Sequence, residues 1–284
     1  MAKTKVKTSY VCQNCGYVTA SWLGKCPECG TWNSLVEQVE TLAKNTGYVN
    51  FMEGKAPRPI SRVAATPVER LTTGINEFDR VLGGGIVPGS LVLLGGEPGI
   101  GKSTLLLDTA MRFSQKGRKV LYVSGEESEE QTAMRAGRLG KCTDSLLIMT
   151  ASEVGGILLQ AEREKPALLI VDSIQTMYSS QLETAAGSVG QVRECTANLL
   201  RFAKTAGVAV MVIGHVTKDG NIAGPRLLEH MVDVVLQFEG DRSYSFRVLR
   251  ALKNRFGSTE ECGIFSMEQG CLLYTSPSPR DRTR

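Results

Sequence analysis

Residues 96–103 read Gly-Glu-Pro-Gly-Ile-Gly-Lys-Ser and lie between an apolar run, Leu91 to Leu94, and a stretch of helical spacing that opens near Lys102. No other segment restricts the fold as much. Glycines at 96, 99 and 101 let the backbone curl until several N–H groups face one point, and the positive end of the following helix dipole faces the same point. A strand, loop and helix so arranged form a cradle for polyphosphate. Gly96, Glu97, Pro98, Gly99, Ile100, Gly101, Lys102, Ser103 and Thr104 are therefore the expected ATP-binding residues. Lys102 would reach the outer phosphates as a point charge, and the Ser103 hydroxyl would ligate the accompanying Mg²⁺. The alternative is an ordinary glycine-rich turn, which leaves the agreement of motif and flanking elements unexplained.

From Arg70 onward, short apolar runs alternate with helical patterns. Leu91 to Leu94, Val120 to Val123, Leu146 to Met149, Leu168 to Val171 and Val208 to Ile213 read as buried strands. Thr104 to Gln115, Glu129 to Leu139 and Val189 to Ala206 read as helices. That alternation implies an α/β fold with a mainly parallel sheet, covered on both faces, whose ligands gather at the carboxyl ends of the strands.

Asp172 ends the Leu168 to Val171 run, where a nucleotide fold needs an acid to hold magnesium through water. A helix cap is the alternative use of such a residue. Glu126 and Glu127 follow the Val120 to Val123 run, and either is placed to polarise an attacking water; Glu126 is the favoured base. Both also suit the acidic first turn of a helix. His215 is read either as a sensor of the γ-phosphate or as a packed polar residue. The loop from Thr217 to Arg226 offers Lys218 and Arg226 to a phosphate backbone, although surface loops often look this way without a ligand; Tyr178 to Gly190 is a weaker candidate. Val232 to Phe238 and Tyr244 to Leu252 read as antiparallel strands, followed by Lys253-Asn-Arg255-Phe-Gly257. Two cations so far from the phosphate loop in sequence point either at the nucleotide of an adjacent subunit or simply at solvent.

Upstream, Cys12-Gln-Asn-Cys15-Gly16 and Cys26-Pro-Glu-Cys29-Gly30 form two similar hooks separated by ten residues. Four thiolates in this spacing converge on one tetrahedral Zn²⁺, and glycine after each second cysteine permits a tight left-handed turn. Metal-free thiols or a redox pair are the rival reading. So short a module, residues 8–34, draws most of its folding free energy from the metal. Trp22 and Trp32 are expected to cover the zinc site, with stacking on single-stranded nucleic acid as the alternative. Residues 35–68 read as a linker before the ATPase domain, 69–270.

The chain has 284 residues, 42% of them hydrophobic, and a net charge of +4, which by itself barely argues for nucleic acid. No run approaches the roughly 20 apolar residues of a membrane span, and Met1 to Lys7 lacks a signal core. The expectation is a cytoplasmic protein with no membrane partner. Of eight cysteines, four lie in the first thirty residues, which fits metal binding better than disulfides.

Together with Leu71-Thr-Thr-Gly74-Ile-Asn-Glu-Phe-Asp79-Arg-Val-Leu-Gly83-Gly-Gly, these motifs in this order closely resemble the RadA (Sms) family of bacterial RecA-like DNA repair ATPases. The resemblance covers roughly residues 8–270. It implies a RecA-like P-loop core behind a four-cysteine zinc ribbon, assembly as a hexamer, action on single-stranded and branched DNA, and branch migration of recombination intermediates alongside the RecA recombinase. It makes Lys102 and Ser103 the nucleotide and magnesium residues, Asp172 the Walker B acid, and Lys253 and Arg255 catalytic groups acting across a subunit interface. A nucleotide-gated switch of the KaiC type, recruiting a protein through the ribbon, is the competing reading. Members of the family continue into a domain resembling the Lon protease. Residues 271–284 fit neither strand nor helix pattern and resemble translated adapter read-through, so they are expected to be non-native.

Overall fold

The computed structural model describes residues 6–41, 59, 69–215, 227–240, 246–268 and 271–274. The core among them is a nine-stranded sheet in the order β12-β11-β10-β9-β4-β8-β7-β5-β6. Its parallel part comprises β4 (Leu91–Gly96), β5 (Val120–Ser124), β6 (Leu146–Thr150), β7 (Leu168–Asp172), β8 (Ala209–His215) and β9 (Val234–Glu239). Each expected strand is present, typically extended by a residue or two at its carboxyl end. An antiparallel meander, β10 (Phe246–Asn254), β11 (Cys262–Glu268) and β12 (Cys271–Tyr274), completes it.

Every residue of β4 and β5 is buried, as strands covered on both faces must be. Alternate residues supply two cores. Val92, Leu94, Tyr122, Ile170 and Met211 face one side and pack with Leu105, Leu106 and Phe113 of α2 (Lys102–Gln115). Leu91, Leu93, Val123, Val171 and Val212 face the other and pack with Ile157 of α4 (Val154–Glu164) and Val192, Leu199 and Phe202 of α5 (Val189–Ala206). The remaining helices are α1 (Asn76–Val81), α3 (Glu129–Leu139) and α6 (Leu227–Met231). No helix among the described residues is long and apolar enough to cross a membrane.

Four expectations change. β9 is antiparallel to β10 as expected but parallel to β4, so the parallel sheet extends past the phosphate loop on both sides. α4 is a helix whose Gly155 and Gly156 hide its amphipathic signal; the Glu153 carboxylate compensates by accepting the Gly156 N–H at 2.6 Å. Residues 271–274, expected to lack regular structure, pair antiparallel with β11 as the edge strand β12.

The fourth concerns the N-terminal module. There β1 (Val6–Cys12) pairs with β2 (Val18–Thr19) on one side and with β3 (Leu35–Thr41) on the other. Residues 35–41, read as the start of a linker, thus belong to the ribbon's sheet. The backbone of β1 needs a hydrogen-bonding partner along its second edge, and the mixed polarity of Leu-Val-Glu-Gln-Val-Glu-Thr suits a strand with one wet face.

Candidate functional site, a nucleotide cradle and a thiol cluster

β4 ends at Gly96 and α2 begins at Lys102, so the glycine-rich segment crosses the carboxyl edge of the sheet between β8 and β9. A Cβ at Gly96 would lie 2.7 Å from the Phe238 carbonyl oxygen of β9; only glycine lets the loop leave the strand there. Gly101, at φ 113°, is the N-cap of α2, which has neither a side-chain cap nor an acidic residue in its first turn. α3, in contrast, has a complete capping box from Ser128 and Gln131, and α5 is capped by Ser188. The helix whose N-terminus opens on the cradle is thus left without an internal anion, as a phosphate-binding helix requires.

Lys102 is 4% exposed, and its Nζ donates to the carbonyl oxygens of Gly96 and Glu97, both at 2.8 Å. Burial pushes its pKa down to about 8, against the pull of the Asp172, Glu126 and Glu97 carboxylates. An uncapped helix start, a buried lysine folded over the loop and a glycine that no side chain replaces are the features a triphosphate with Mg²⁺ needs, and these residues fit that group.

Two neighbouring strand ends supply the acids. Ser124 of β5 pairs with Asp172 of β7, and the Tyr122 hydroxyl donates to Asp172 Oδ2 at 2.7 Å. Beyond β5, Gly125 packs where a Cβ would fall 2.0 Å from Thr176 Oγ1, so the turn carrying Glu126 lies tight against the turn after β7. Ser173 Oγ donates to Glu126 Oε1 at 2.7 Å, and His215 Nε2 lies 3.4 Å from the same oxygen. Glu127 points elsewhere, in an ion pair with Arg135 of α3. Lys102, Glu126, Asp172 and His215 therefore gather at one edge of the sheet, with Gly96 paired beside His215. Sequence reasoning missed Tyr122, Ser173 and Gly125: a tyrosine inside an apolar strand and a serine after the acid have no periodic signature.

Lys253 and Arg255 lie elsewhere. Asn254 pairs with Val234, which pairs with Val92, four residues before Gly96, so they sit at the far end of the strands, roughly 13 Å from the cradle along β4. Lys253 Nζ donates to the carbonyls of Glu229 (2.7 Å), His230 (3.3 Å) and Val232 (2.7 Å) at the end of α6. Arg255 pairs with Asp233, a carboxylate 1% exposed that also accepts from Lys204 and from the Leu91 N–H. Within one chain neither cation reaches the cradle. Lys218 and Arg226 lie outside the described residues.

In the ribbon, the sulfurs of Cys12, Cys15, Cys26 and Cys29 all lie within 4.8 Å of one another, with Cys12 to Cys29 at 3.6 Å and Cys15 to Cys26 at 3.5 Å. Bonds of about 2.3 Å to a tetrahedral zinc place sulfurs about 3.8 Å apart, so the set fits that ion. The hooks are built alike: Gly16 donates to Cys12 O and Gly30 to Cys26 O, both at 2.9 Å, with φ 76° and 71°. The tryptophans do not cover the site as expected. Trp22 and Trp32 are 54% and 69% exposed, and the apolar packing comes from Leu35 with Tyr10 and Tyr17. The two indoles instead flank Gly24 at the surface.

Fold and site together define a RecA-like ATPase core with a metal-binding ribbon at its N-terminus. Residues 56–221 match the AAA domain family, and residues 10–37 match a rubredoxin metal-binding domain. The DNA repair protein RadA of Halalkalibacterium halodurans is 54% identical over 278 residues, 96% of this chain and 61% of that protein. RadA of Bacillus subtilis is 51% identical over 283 residues, 98% of this chain and 61% of that protein. The crystal structure of the RadB recombinase superposes with a TM-score of 0.57 at 24% identity, covering 72% of this chain and all of that one, and shows the shared fold. The chain belongs to the RadA family of RecA-like, AAA-domain ATPases. It spans about three fifths of the length of the curated relatives it matches.

Proposed function

We propose that this chain carries the motor core of a DNA repair and recombination protein that hydrolyses ATP while bound to single-stranded and branched DNA, promoting branch migration. The observation that carries this reading is the convergence of Lys102, Glu126 and Asp172 on an uncapped helix N-terminus at the carboxyl edge of a parallel sheet. Lys102 neutralises the outer phosphates once it leaves the Gly96 and Glu97 carbonyls. Ser103 and Asp172 hold the magnesium ion, which when bound supplies Lewis-acid neutralisation of the phosphate oxygens. Glu126, oriented by Ser173, accepts the proton of the attacking water.

Lys253 and Arg255 are assigned to the nucleotide of an adjacent copy, and their distance from their own cradle supports that assignment. It accords with assembly as a hexamer. Lys218 and Arg226 are assigned to the DNA backbone, and the RecA recombinase is the expected protein partner. Zn²⁺ is assigned to Cys12, Cys15, Cys26 and Cys29.

ATP hydrolysis measured with and without single-stranded oligonucleotide tests the reading. Stimulation by the oligonucleotide that weakens as salt rises is the expected result. Lys102→Ala should lower the rate about a hundredfold or more. Hydrolysis indifferent to DNA, with no salt-dependent binding, would instead favour a KaiC-type switch.

A further inference from the structure

We propose that Tyr122 is a positioning residue for Asp172: its hydroxyl holds one carboxylate oxygen so that the other is presented in a single orientation to the magnesium ion of bound nucleotide. This rests on the nucleotide reading above and adds a residue to it. Tyr122 lies in the middle of β5 at 1% exposure, among aliphatic residues of the α2-side core. For packing alone phenylalanine would serve there. A hydroxyl on that face is costly to bury unless it finds a partner, and the partner it has is Asp172 Oδ2 at 2.7 Å.

The register explains the reach. Tyr122 pairs with Ile170, and Ser124 with Asp172, so the phenol extends two residues along the same face to the carboxylate at the strand end. A carboxylate oxygen can only accept, so in this contact the tyrosine hydroxyl is the donor. A donor fixed on one oxygen of a carboxylate removes its rotational choice. Partners that orient metal-binding carboxylates in this way typically account for 10–100-fold in metal affinity.

The test is the Mg²⁺ requirement for binding a non-hydrolysable ATP analogue to the full chain, read by calorimetry over a series of Mg²⁺ concentrations. Tyr122→Phe should raise the half-saturating Mg²⁺ about tenfold or more while changing affinity in EDTA less than about twofold. Asp172→Asn should raise it too, and the double variant should add nothing further. Tyr122→Leu, which removes ring and hydroxyl together, should lower the melting temperature more than Tyr122→Phe without raising the Mg²⁺ requirement further. An unchanged requirement in Tyr122→Phe, an additive double variant, or a phenylalanine variant that fails to fold each overturns the proposal. Wild-type chain that binds no analogue at any Mg²⁺ concentration overturns the nucleotide reading itself, and so is distinguished from the other outcomes.

Discussion

Lys102 shows how function is set against stability at one residue. Its ammonium is buried over the glycine-rich loop, where the proposed function puts a phosphate, and burial pushes its pKa from 10.5 down to about 8. The folded chain therefore binds fewer protons than the unfolded chain between those values, so the contribution of Lys102 to stability rises as pH climbs from about 8 to 10.5. Lys102→Met, which keeps the length and discards the charge, should melt above the wild type at pH 7 by about 2 to 4 °C. That advantage should shrink steadily above pH 8, as followed by circular dichroism at each pH. A variant less stable than wild type at pH 7 would show that the two carbonyl contacts outweigh desolvation. The neighbouring glutamates illustrate what sequence leaves open: Glu126 and Glu127 are equivalent as letters, and their partners separate them, Ser173 and His215 for the first and Arg135 for the second.

At the scale of elements, capping separates α3 and α5, whose N-termini are closed by serine side chains, from α2, whose N-terminus has no side-chain cap. α3 is closed by Ser128, whose side chain accepts from the Gln131 N–H at 3.3 Å. Ser128→Ala should cost about 1 kcal/mol, readable as a lower urea midpoint at unchanged m-value. α2 has no such residue to lose, and nucleotide should instead raise the melting temperature in proportion to the logarithm of its concentration. The ribbon is expected to depend on metal in the same sense. Among the described residues its buried apolar side chains are Val11, Cys12, Cys26 and Leu35, little apolar area to hold three strands together. EDTA should expose residues 6–41 to proteolysis while 69–268 resist, and Cys12→Ser should lose bound zinc; full zinc content in that variant would remove Cys12 from the ligand set.

For the whole molecule, the strand pairing places Lys253 and Arg255 at the opposite end of the strands from Lys102, Glu126 and Asp172. β10 returns antiparallel to β9, so Lys253 and Arg255 finish beside the start of β4 while the cradle lies beyond its end. Lys102→Ala and Arg255→Ala should each abolish DNA-stimulated hydrolysis, and mixing the two proteins should restore part of it, since an intact cradle then meets an intact arginine on another copy. No recovery in the mixed sample would count against a shared site. Arg255 is 54% exposed and Asp233 keeps Lys204 and the Leu91 amide without it, so its loss should leave the melting temperature nearly unchanged.

Local chemistry made much of this legible in the letters alone. The glycine spacing of the cradle, the paired cysteine hooks with their left-handed glycines, the continuous apolar strands and the strand-terminal Asp172 each follow from backbone sterics or ligand geometry acting over a few residues. Tertiary structure decided the rest because it depends on which strands become neighbours. Pairing of β5 with β7 brought Tyr122 to Asp172 and Ser173 to Glu126, pairing of β1 with β3 drew residues 35–41 into the ribbon, and the packing of Leu35 with Tyr10 and Tyr17 left Trp22 and Trp32 exposed. Contacts across fifty residues of sequence leave no periodic trace, so only the folded sheet selects among side chains that the sequence makes equally eligible.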